Sequence, residues 1–335
     1  MLKTTNHNDK AWRVLFDTRK ASHGTYESYE NWLNCRRQYI TGTDAGTIAG
    51  VNKYQTPYEL YMLKKGLIKP KPANSAMLWG KRLEGIIRLS YAEESGLQVK
   101  EIPYMVASTR YEWMAGNIDG AVRLSSGEWA ILEIKNLGPF TGSTEYANGE
   151  QGYISPTHLL QLYHYMILYN VRKSVLCCLL SGQKLVHQIV EYDEATANAL
   201  IVLERDFFYN KLRKNIAPPI SGMDNDLLAQ LYPKTEINEI TLPDSACKLI
   251  SDYLTATDEI KRWQAQKDQA EAQLKEMMGA NASAVCGDKR IKWSEVTSKR
   301  INTAKIKEII PADQLALCYQ ESSYRKFGIS TIKSK

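Results

Sequence analysis

The most constraining feature of the chain is a short apolar stretch that contains two charged residues, Glu133 and Lys135. The turn residues Ser125–Gly127 and a second stretch with strand character, Trp113–Leu124, precede it, so the pattern predicts a two-stranded hairpin. Because side chains alternate between the faces of a strand, Glu133 and Lys135 are expected to project to one side. The hairpin would place them beside Asp119, so that two carboxylates and an ammonium group converge.

This combination of charges suits metal-assisted hydrolysis of a phosphate. Mg²⁺ prefers carboxylate and carbonyl oxygens, and a cation between two acids lowers the pKa of bound water while neutralising phosphate charge. Lys135 would orient that water or stabilise developing negative charge. The alternative is a surface strand with an ordinary Glu–Lys pair. The apolar neighbours Ile131, Leu132 and Ile134 favour a central strand, where isolated charges are costly.

Length and composition indicate a globular protein with an appendage. The 335 residues are about twice a typical single domain, and 44% are hydrophobic against 24% charged, which excludes a wholly disordered or collagen-like chain. Six scattered cysteines form no C-x-x-C pair, so neither a zinc site nor a disulfide framework is expected. No apolar run approaches the roughly 20 residues of a membrane span, and Met1–Lys10 is polar, so we expect a cytoplasmic protein without membrane contact.

The positive charge lies at the C-terminal end. Val285–Lys335 contains eleven Lys or Arg and five Asp or Glu, a balance of +6, which equals the net charge of the whole chain. A basic segment of this kind either binds a polyanion such as nucleic acid or serves as a solvated tail, and the composition leaves both open.

Hydrophobic periodicity predicts a mixed α/β (α+β) fold. Helices are expected at Ser75–Glu94, Pro156–Asn170 and Asp193–Lys214, and Thr43 and Thr56-Pro57 are expected to open shorter ones. Strands are expected at Ile102–Ala107, Trp113–Leu124 and Trp129–Lys135, as an antiparallel meander, and at Ser174–Leu180 and Leu185–Tyr192.

A heptad pattern follows the predicted core. Leu249, Ala256, Trp263, Ala270 and Met277 recur every seven residues, with Tyr253, Ile260 and Leu274 between them and Lys267 as the exception. We expect a coiled-coil or helical arm over 245–279. The predicted organisation is therefore an N-terminal extension at 1–26, a core at 27–220, a linker and arm at 221–284 and a basic segment at 285–335.

Asp119 followed by Glu133-Ile-Lys135 resembles the PD-(D/E)XK nuclease signature, with Ile118 in place of the proline. Upstream, Trp79–Glu84 (WGKRLE) is similar to the helix that supplies a further acid in lambda-exonuclease-like and YqaJ-type phage recombination nucleases. Downstream, Gln161–Tyr165 (QLYHY) is similar to their Q-x-x-x-Y helix. The resemblance implies a restriction-endonuclease-like core, a mixed sheet flanked by helices.

A further match lies near the N-terminus. The segment that contains Arg36 and Thr43 resembles the part of the family that binds the 5′-phosphate of a DNA end. A guanidinium and a hydroxyl group at a helix N-terminus suit such a phosphate. Asn117 stands where some relatives place a phosphate-binding serine, so the resemblance assigns it to the same site.

The resemblance also assigns roles around the predicted metal. It implies that Asp119, Glu133 and the carbonyl group of Ile134 bind Mg²⁺, for which Mn²⁺ would substitute, and that Glu84 assists. Lys135 would support the attacking water. Gln161 and Tyr165, which lie on one predicted helix, would position the groups around the site.

The implied function is a 5′-to-3′ exonuclease on double-stranded DNA ends, in a bacterial or phage-infected cell. Its 3′ overhangs would serve a single-strand annealing protein, and relatives form rings, so a homo-oligomer, trimeric or tetrameric, is expected. The alternatives are an endonuclease on the same fold, restriction-like or Cas4-like without an iron–sulfur cluster, and a non-catalytic DNA-end-binding protein. The sequence contains no Walker loop or dinucleotide fingerprint, so no nucleotide cofactor is expected.

Overall fold

The computed structural model describes residues 11–19, 26–146, 153–320 and 322–331, in two units, 1–228 and 229–335. Side chains are described from residue 29 onwards in the second of these stretches. The polar start Met1–Lys10, much of the predicted N-terminal extension and residues 332–335 of the basic segment lie outside the described residues.

The first part of the chain contains both helices and strands. In order they are β1 (Trp12–Asp17), α1 (Tyr26–Arg37), α2 (Gly42–Ile48), α3 (Pro57–Lys64), α4 (Ser75–Ser95), β2 (Gln98–Lys100), β3 (Tyr104–Ser108), β4 (Ala115–Gly116), β5 (Gly120–Arg123), β6 (Trp129–Leu137), α5 (Pro139–Glu145), α6 (Pro156–Tyr169), β7 (Lys173–Leu180), β8 (Lys184–Glu191), α7 (Glu194–Asp206) and α8 (Asn225–Leu231).

A five-stranded sheet, in the order β2-β5-β6-β7-β8, forms the centre of the first unit. Strands β5 and β6 pair antiparallel, whereas β6 and β7 pair parallel. Parallel neighbours need a crossover, and α6 lies within that connection. Helix α4 contributes Ile87 and Tyr91 to one apolar cluster on the sheet, and α6 contributes Leu162 to another. The predicted mixed sheet flanked by helices is therefore confirmed.

A second, three-stranded sheet has the order β1-β3-β4. Strand β3 pairs antiparallel with β4, which lies within the predicted strand Trp113–Leu124, so this step of the predicted meander is confirmed. The prediction of one continuous strand there is wrong, because β4 and β5 belong to different sheets, and β3 also pairs with β1. Strand β1 lies far upstream of β3 in the sequence, so the local sequence pattern gives no indication of this partner. The predicted hairpin itself, β5 with β6, is confirmed.

Local sequence signals explain where the helices begin and end. Asn74 caps α4 by accepting a hydrogen bond from the Met77 N–H group at 2.9 Å, and Gly96 ends the helix with a left-handed φ of 64°. The predicted Thr56-Pro57 start of α3 is confirmed. Helix α2 begins at Gly42, so Thr41 is its N-cap and the prediction of Thr43 in that position is wrong.

The second unit contains one long helix and smaller elements. They are α9 (Ser245–Met278), β9 (Ser283–Cys286), β10 (Lys289–Lys292), α10 (Thr303–Ile309) and α11 (Ala312–Ala316), and β9 and β10 form an antiparallel hairpin. The helix predicted from the heptad pattern is confirmed as α9. Within the described part of the chain, none of the helices combines the length and apolar character needed to cross a membrane.

Candidate active site

One pocket of about 630 Å³ in the first unit brings together the residues that the sequence pointed to. It lies where the hairpin, the N-terminal part of α4 and one face of α6 meet. The predicted site residues that line it are Arg36, Thr43, Glu84, Asn117, Asp119, Glu133, Ile134, Lys135, Gln161 and Tyr165.

Strand β6 presents its two charged residues to the pocket. As the alternation of side chains predicts, Glu133 and Lys135 lie on one face, and Lys135 Nζ is 2.6 Å from Glu133 Oε1. Antiparallel pairing of β5 with β6 brings Asp119 alongside, where its carboxylate accepts a hydrogen bond from the Ile134 N–H group at 2.7 Å. A backbone group of the hairpin therefore holds the Asp119 carboxylate, and the side chain of Lys135 holds that of Glu133.

Helix α6 supports this cluster from the other side. Gln161 donates a hydrogen bond to Glu133 Oε1 at 2.6 Å and accepts one from Lys135 Nζ at 3.2 Å. Tyr165 lies one turn further along the same helix face, with its hydroxyl 3.4 Å from Gln161 Nε2. Glu133 Oε1 thus has two donors, whereas the buried Oε2 has no hydrogen-bond partner among the described residues.

Negative charge is concentrated in the pocket. Burial raises the pKa of the Asp119 carboxyl well above its usual range, and the nearby Glu133 and Glu84 carboxylates raise it further. Burial also raises the pKa of Glu84, with Arg88 acting in the opposite direction. Burial alone would lower the pKa of Lys135, but Glu133 and Asp119 outweigh it and the net direction is upward. Lys135 is therefore a cation at neutral pH, and the pocket stabilises positive charge.

The donor set fits a hard divalent cation with few protein ligands. Across the described residues, no three His, Cys, Asp or Glu side chains are grouped closely enough to hold a metal ion. Mg²⁺ commonly binds through one or two carboxylates and keeps several waters or takes substrate phosphate oxygens. Asp119 and Glu133, with the unpartnered Glu133 Oε2, meet that requirement.

Two glycines hold the ring of Tyr165 in place. A Cβ atom added at Gly42 of α2 would lie 2.6 Å from the ring, and one added at Gly116 of β4 would lie 2.8 Å from it. Both distances are too short for any larger residue without a shift of the ring. The packing of α2 and β4 against α6 therefore determines where the Tyr165 hydroxyl lies.

A second polar cluster at the pocket is centred on Arg36 of α1. Its guanidinium donates to Thr43 Oγ1 at 3.0 Å, to Thr41 Oγ1 at 3.2 Å and to Asn117 Oδ1 at 3.4 Å. The guanidinium also lies 4.8 Å from the centre of the Trp32 ring. The structure thus brings together the three residues assigned to phosphate binding, although Arg36 and Asn117 are 81 positions apart.

A buried ion pair stabilises the helix start beneath that cluster. Asp44 of α2 accepts hydrogen bonds from the Thr41 N–H and Oγ1 groups, at 2.8 and 2.9 Å, and its carboxylate is 2.6 Å from Lys64 Nζ. Burial raises the pKa of Asp44, but Lys64 and Arg36 outweigh burial and the net direction is downward. Asp44 therefore remains ionised and keeps Thr41 oriented toward Arg36.

Arg88 and Thr41 also contribute to the site, and the sequence reasoning missed both. Arg88 of α4 donates to the Asp119 carbonyl oxygen at 2.9 Å, and its guanidinium lies 3.5 Å from Glu84 and 3.3 Å from Glu101. The i,i+4 spacing of Glu84 and Arg88 was a visible signal for their pairing. No local pattern, however, indicates the contact with Asp119.

His164 lies next to the site residues on α6 but faces away from the pocket. Its ring nitrogens lie 2.7 Å from Glu204 Oε1 and 3.0 Å from the Ala115 carbonyl oxygen, and both side chains are fully buried. His164 therefore contributes to packing and hydrogen bonding in the core. These contacts of His164 connect α6 with α7, through Glu204, and with β4, through Ala115.

Comparisons with known proteins agree with this organisation. The family model described as "YqaJ-like viral recombinase domain" matches residues 31–171, which include the pocket residues from Arg36 to Tyr165. A Bacillus subtilis (strain 168) protein, "Uncharacterized protein YqaJ", is 30% identical over 311 residues, covering 91% of this chain and 95% of that one. This chain belongs to the YqaJ family. The resemblance noted from its motifs is therefore confirmed.

Solved structures resemble this YqaJ-family chain more distantly. An alkaline exonuclease, LHK-Exo, from Laribacter hongkongensis aligns with a TM-score of 0.46 and 18% identity, over 56% of this chain and 94% of that one. A structure of LHK-Exo in complex with dAMP gives the same TM-score at 19% identity, and the alignment covers 60% of this chain and 96% of that one. A phage-related exonuclease from Haemophilus somnus 129PT gives a TM-score of 0.40 at 13% identity, and the alignment covers 56% of this chain and 100% of that one. These likenesses are too distant to assign a function.

Proposed function

We propose that this protein is a Mg²⁺-dependent deoxyribonuclease that removes nucleotides from the 5′ end of one strand of linear double-stranded DNA. One observation supports this most strongly: the acid–lysine cluster and the Arg36 cluster line the same pocket. In a pocket with both clusters, the Arg36 cluster can bind the terminal 5′-phosphate while the acid–lysine cluster hydrolyses the next phosphodiester bond. The membership in a viral recombinase family supports a role in recombination.

Asp119, Glu133 and the Ile134 carbonyl oxygen are the groups proposed to hold the metal. When bound, Mg²⁺ supplies Lewis-acid stabilisation of phosphate charge and activation of water, and Mn²⁺ is expected to substitute. The Asp119 carboxylate is held by the Ile134 N–H group, and Glu133 Oε2 has no hydrogen-bond partner among the described residues. Glu84 raises the pKa of Asp119, and Glu133 raises the pKa of Glu84, so the three carboxylates act on one another. Glu84 is proposed to act through water molecules.

Lys135 and Gln161 are proposed to set the geometry of hydrolysis. The Lys135 ammonium group, held 2.6 Å from Glu133, can donate a hydrogen bond to the attacking water or to a phosphate oxygen as its charge increases. Gln161 restrains both Lys135 and Glu133, so neither reorients when the substrate binds. The Tyr165 hydroxyl completes this wall of the pocket.

Arg36, Thr43 and Asn117 are proposed to bind the 5′-phosphate. The guanidinium and hydroxyl groups are donors suited to a phosphate dianion. Asn117 lies two residues before Asp119, so their Cα atoms are no more than about 7 Å apart. The end-binding cluster and the hydrolytic cluster are therefore adjacent along this part of the chain and line one pocket.

The products of this reaction explain how it would repeat. Water adds to the phosphorus atom, the bond to the 3′ oxygen of the terminal nucleotide breaks, and a 5′-mononucleotide leaves. The phosphate stays on the next nucleotide, so the new end carries the group that Arg36 is proposed to bind. The 3′ overhang that accumulates would serve a single-strand annealing protein. We also propose a ring-shaped homo-oligomer, trimeric or tetrameric, around the DNA.

Digestion of a linear duplex tests the proposal. The duplex is labelled at its 5′ or its 3′ end and incubated with Mg²⁺ or with EDTA, beside a covalently closed circle of the same sequence. We expect Mg²⁺-dependent release of mononucleotides from the 5′ label, while the circle stays intact. Cleavage of the circle would support an endonuclease instead. Retained end binding without cleavage of either substrate would support a non-catalytic end-binding protein.

A further inference from the structure

Helix α9 presents an apolar stripe along its length. Positions 253, 260, 267 and 274 and positions 249, 256, 263, 270 and 277 form the two alternating core rows of a heptad repeat. Ile260, Trp263 and Leu274 are 69%, 57% and 41% exposed. Charged side chains on other faces of the helix pair with one another, for example Lys248 with Asp252 and Lys275 with Glu271. The stripe is thus the face of α9 suited to a partner helix.

We propose that the partner is α9 of a second copy of this chain, packed antiparallel. In an antiparallel pair the two core rows face each other, which places position 263 opposite 267, 260 opposite 270 and 256 opposite 274. The central layers are then Trp263 with Lys267, Ile260 with Ala270 and Leu274 with Ala256. Each apolar layer combines a large side chain with a small one, which fills space evenly.

The lysine also fits this arrangement. Lys267 interrupts the stripe, and in an antiparallel pair its ammonium group meets the indole ring of the partner's Trp263, a favourable cation–π contact. The contact forms twice, because the pair is symmetric. The residue that breaks the heptad pattern therefore has a partner in this orientation.

A parallel pair fits poorly. Each core residue would then face its own copy, so that Lys267 would meet Lys267 and Trp263 would meet Trp263. Like charges in a core are unfavourable, two indoles overfill one layer, and the layers of Ala256 and Ala270 would be left underpacked. Orientation is therefore specified by the same residues that form the stripe.

Contacts within the second unit leave the central layers accessible. Phe327 packs edge-on against Tyr253, and Lys275 lies over the Trp293 ring, both near the ends of α9. Residues from Ala256 to Leu274 of the stripe stay exposed. Within α9 the Arg262 guanidinium lies 5.5 Å from the centre of the neighbouring Trp263 ring, which still leaves Trp263 exposed. A second copy can therefore pair over six core layers without displacing Phe327 or Trp293.

The mass of the full-length protein in solution tests the pairing. Ile260→Glu with Leu274→Glu is expected to halve the mass measured by sedimentation equilibrium, because the antiparallel pairing joins two copies, or two rings, through α9. Thr255→Glu with Gln269→Glu adds the same charge to the opposite face of α9 and should leave the mass unchanged. An equal mass for the core-row variant and the wild-type protein would overturn the pairing.

Cross-linking tests the orientation in a background with Cys247, Cys286 and Cys318 changed to serine. Ala256→Cys with Leu274→Cys is expected to form an intermolecular disulfide under mild oxidation. Ala256→Cys alone should not, because the two copies of position 256 lie about 27 Å apart along an antiparallel pair. Equal cross-linking of both proteins would indicate a parallel pair, and cross-linking of neither would overturn the proposal.

Discussion

Replacement of Gln161 by methionine tests the support that α6 gives to the acidic cluster. Methionine keeps the length of the side chain but removes its hydrogen-bonding groups. Glu133, which is 3% exposed, then keeps Lys135 as its one remaining donor. A hydrogen bond to a charged group contributes about 1.5–3 kcal/mol, so Gln161→Met should destabilise the protein by that amount. For a unit of this size the loss corresponds to a decrease in Tm of about 3–12 °C.

The effect on catalysis should be larger than the effect on folding. Glu133 would be free to reorient toward the pocket, and misplacement of a reacting group by about 1 Å can cost about a hundredfold in rate. The assay is release of nucleotides from a 5′-labelled duplex with saturating Mg²⁺, beside thermal unfolding. Gln183→Met, at an exposed turn, is the matched control. A variant with the rate and Tm of the wild-type protein would refute the positioning role of Gln161.

Three further predictions concern the surroundings of the pocket. Arg36→Ala removes charge-assisted hydrogen bonds and should reduce the preference for 5′-phosphorylated over 5′-hydroxyl ends about tenfold or more, measured by competition between the two duplexes. Gly116→Ala places a Cβ atom 2.8 Å from the Tyr165 ring and should destabilise the protein by about 1–3 kcal/mol in urea unfolding. Burial alone would lower the pKa of His164, but Glu204 outweighs it and the net direction is upward from 6.5. The ion pair of protonated His164 with Glu204 therefore stabilises the fold fully below the pKa that His164 has in the unfolded chain. That stabilisation is lost as pH rises through the pKa of His164 in the folded protein. The difference in stability between Glu204→Gln and the wild-type protein should therefore decrease with rising pH.

Each of the three predictions can be contradicted by a specific result. An unchanged end preference in the Arg36 variant would remove the phosphate assignment. Wild-type stability in Gly116→Ala would mean that the Tyr165 ring moves without cost. A stability gap for Glu204→Gln that stays constant from about pH 6 to about pH 9 would show that His164 is neutral in the native protein.

The hydrolytic cluster was largely predictable because its geometry is local. The two-residue repeat of a strand places Glu133 beside Lys135, and a short hairpin returns to Asp119. The four-residue spacing of Gln161 and Tyr165 places both on one face of a helix. In each case the relevant distance along the chain is short enough for secondary structure to determine it.

The parts that were not predictable depend on contacts between distant segments. The hydrophobic periodicity of the sequence does not indicate the pairing of β3 with β1. It also does not indicate the hydrogen bond from Arg88 to the Asp119 carbonyl oxygen. The N-cap before Gly42 was misplaced by two residues because Thr41 and Thr43 both satisfy the preference for a hydroxyl residue at an N-cap. The capping box formed by Asp44 decides between them.

The two clusters come from different sequence ranges, which would make the proposed cutting and the proposed end recognition separable. Every group proposed for hydrolysis except Glu84 comes from one continuous part of the chain. The hairpin of β5 and β6 supplies Asp119, Glu133 and Lys135, and the crossover helix α6 supplies Gln161 and Tyr165. Arg36 and Thr43 belong to a segment that reaches the pocket through the close contact of Gly42 with Tyr165. In the proposed nuclease, loosening of that segment would weaken end selection most and would affect the hydrolytic cluster through Tyr165 alone. We therefore expect the N-terminal helices to restrict the proposed phosphodiesterase centre to DNA ends.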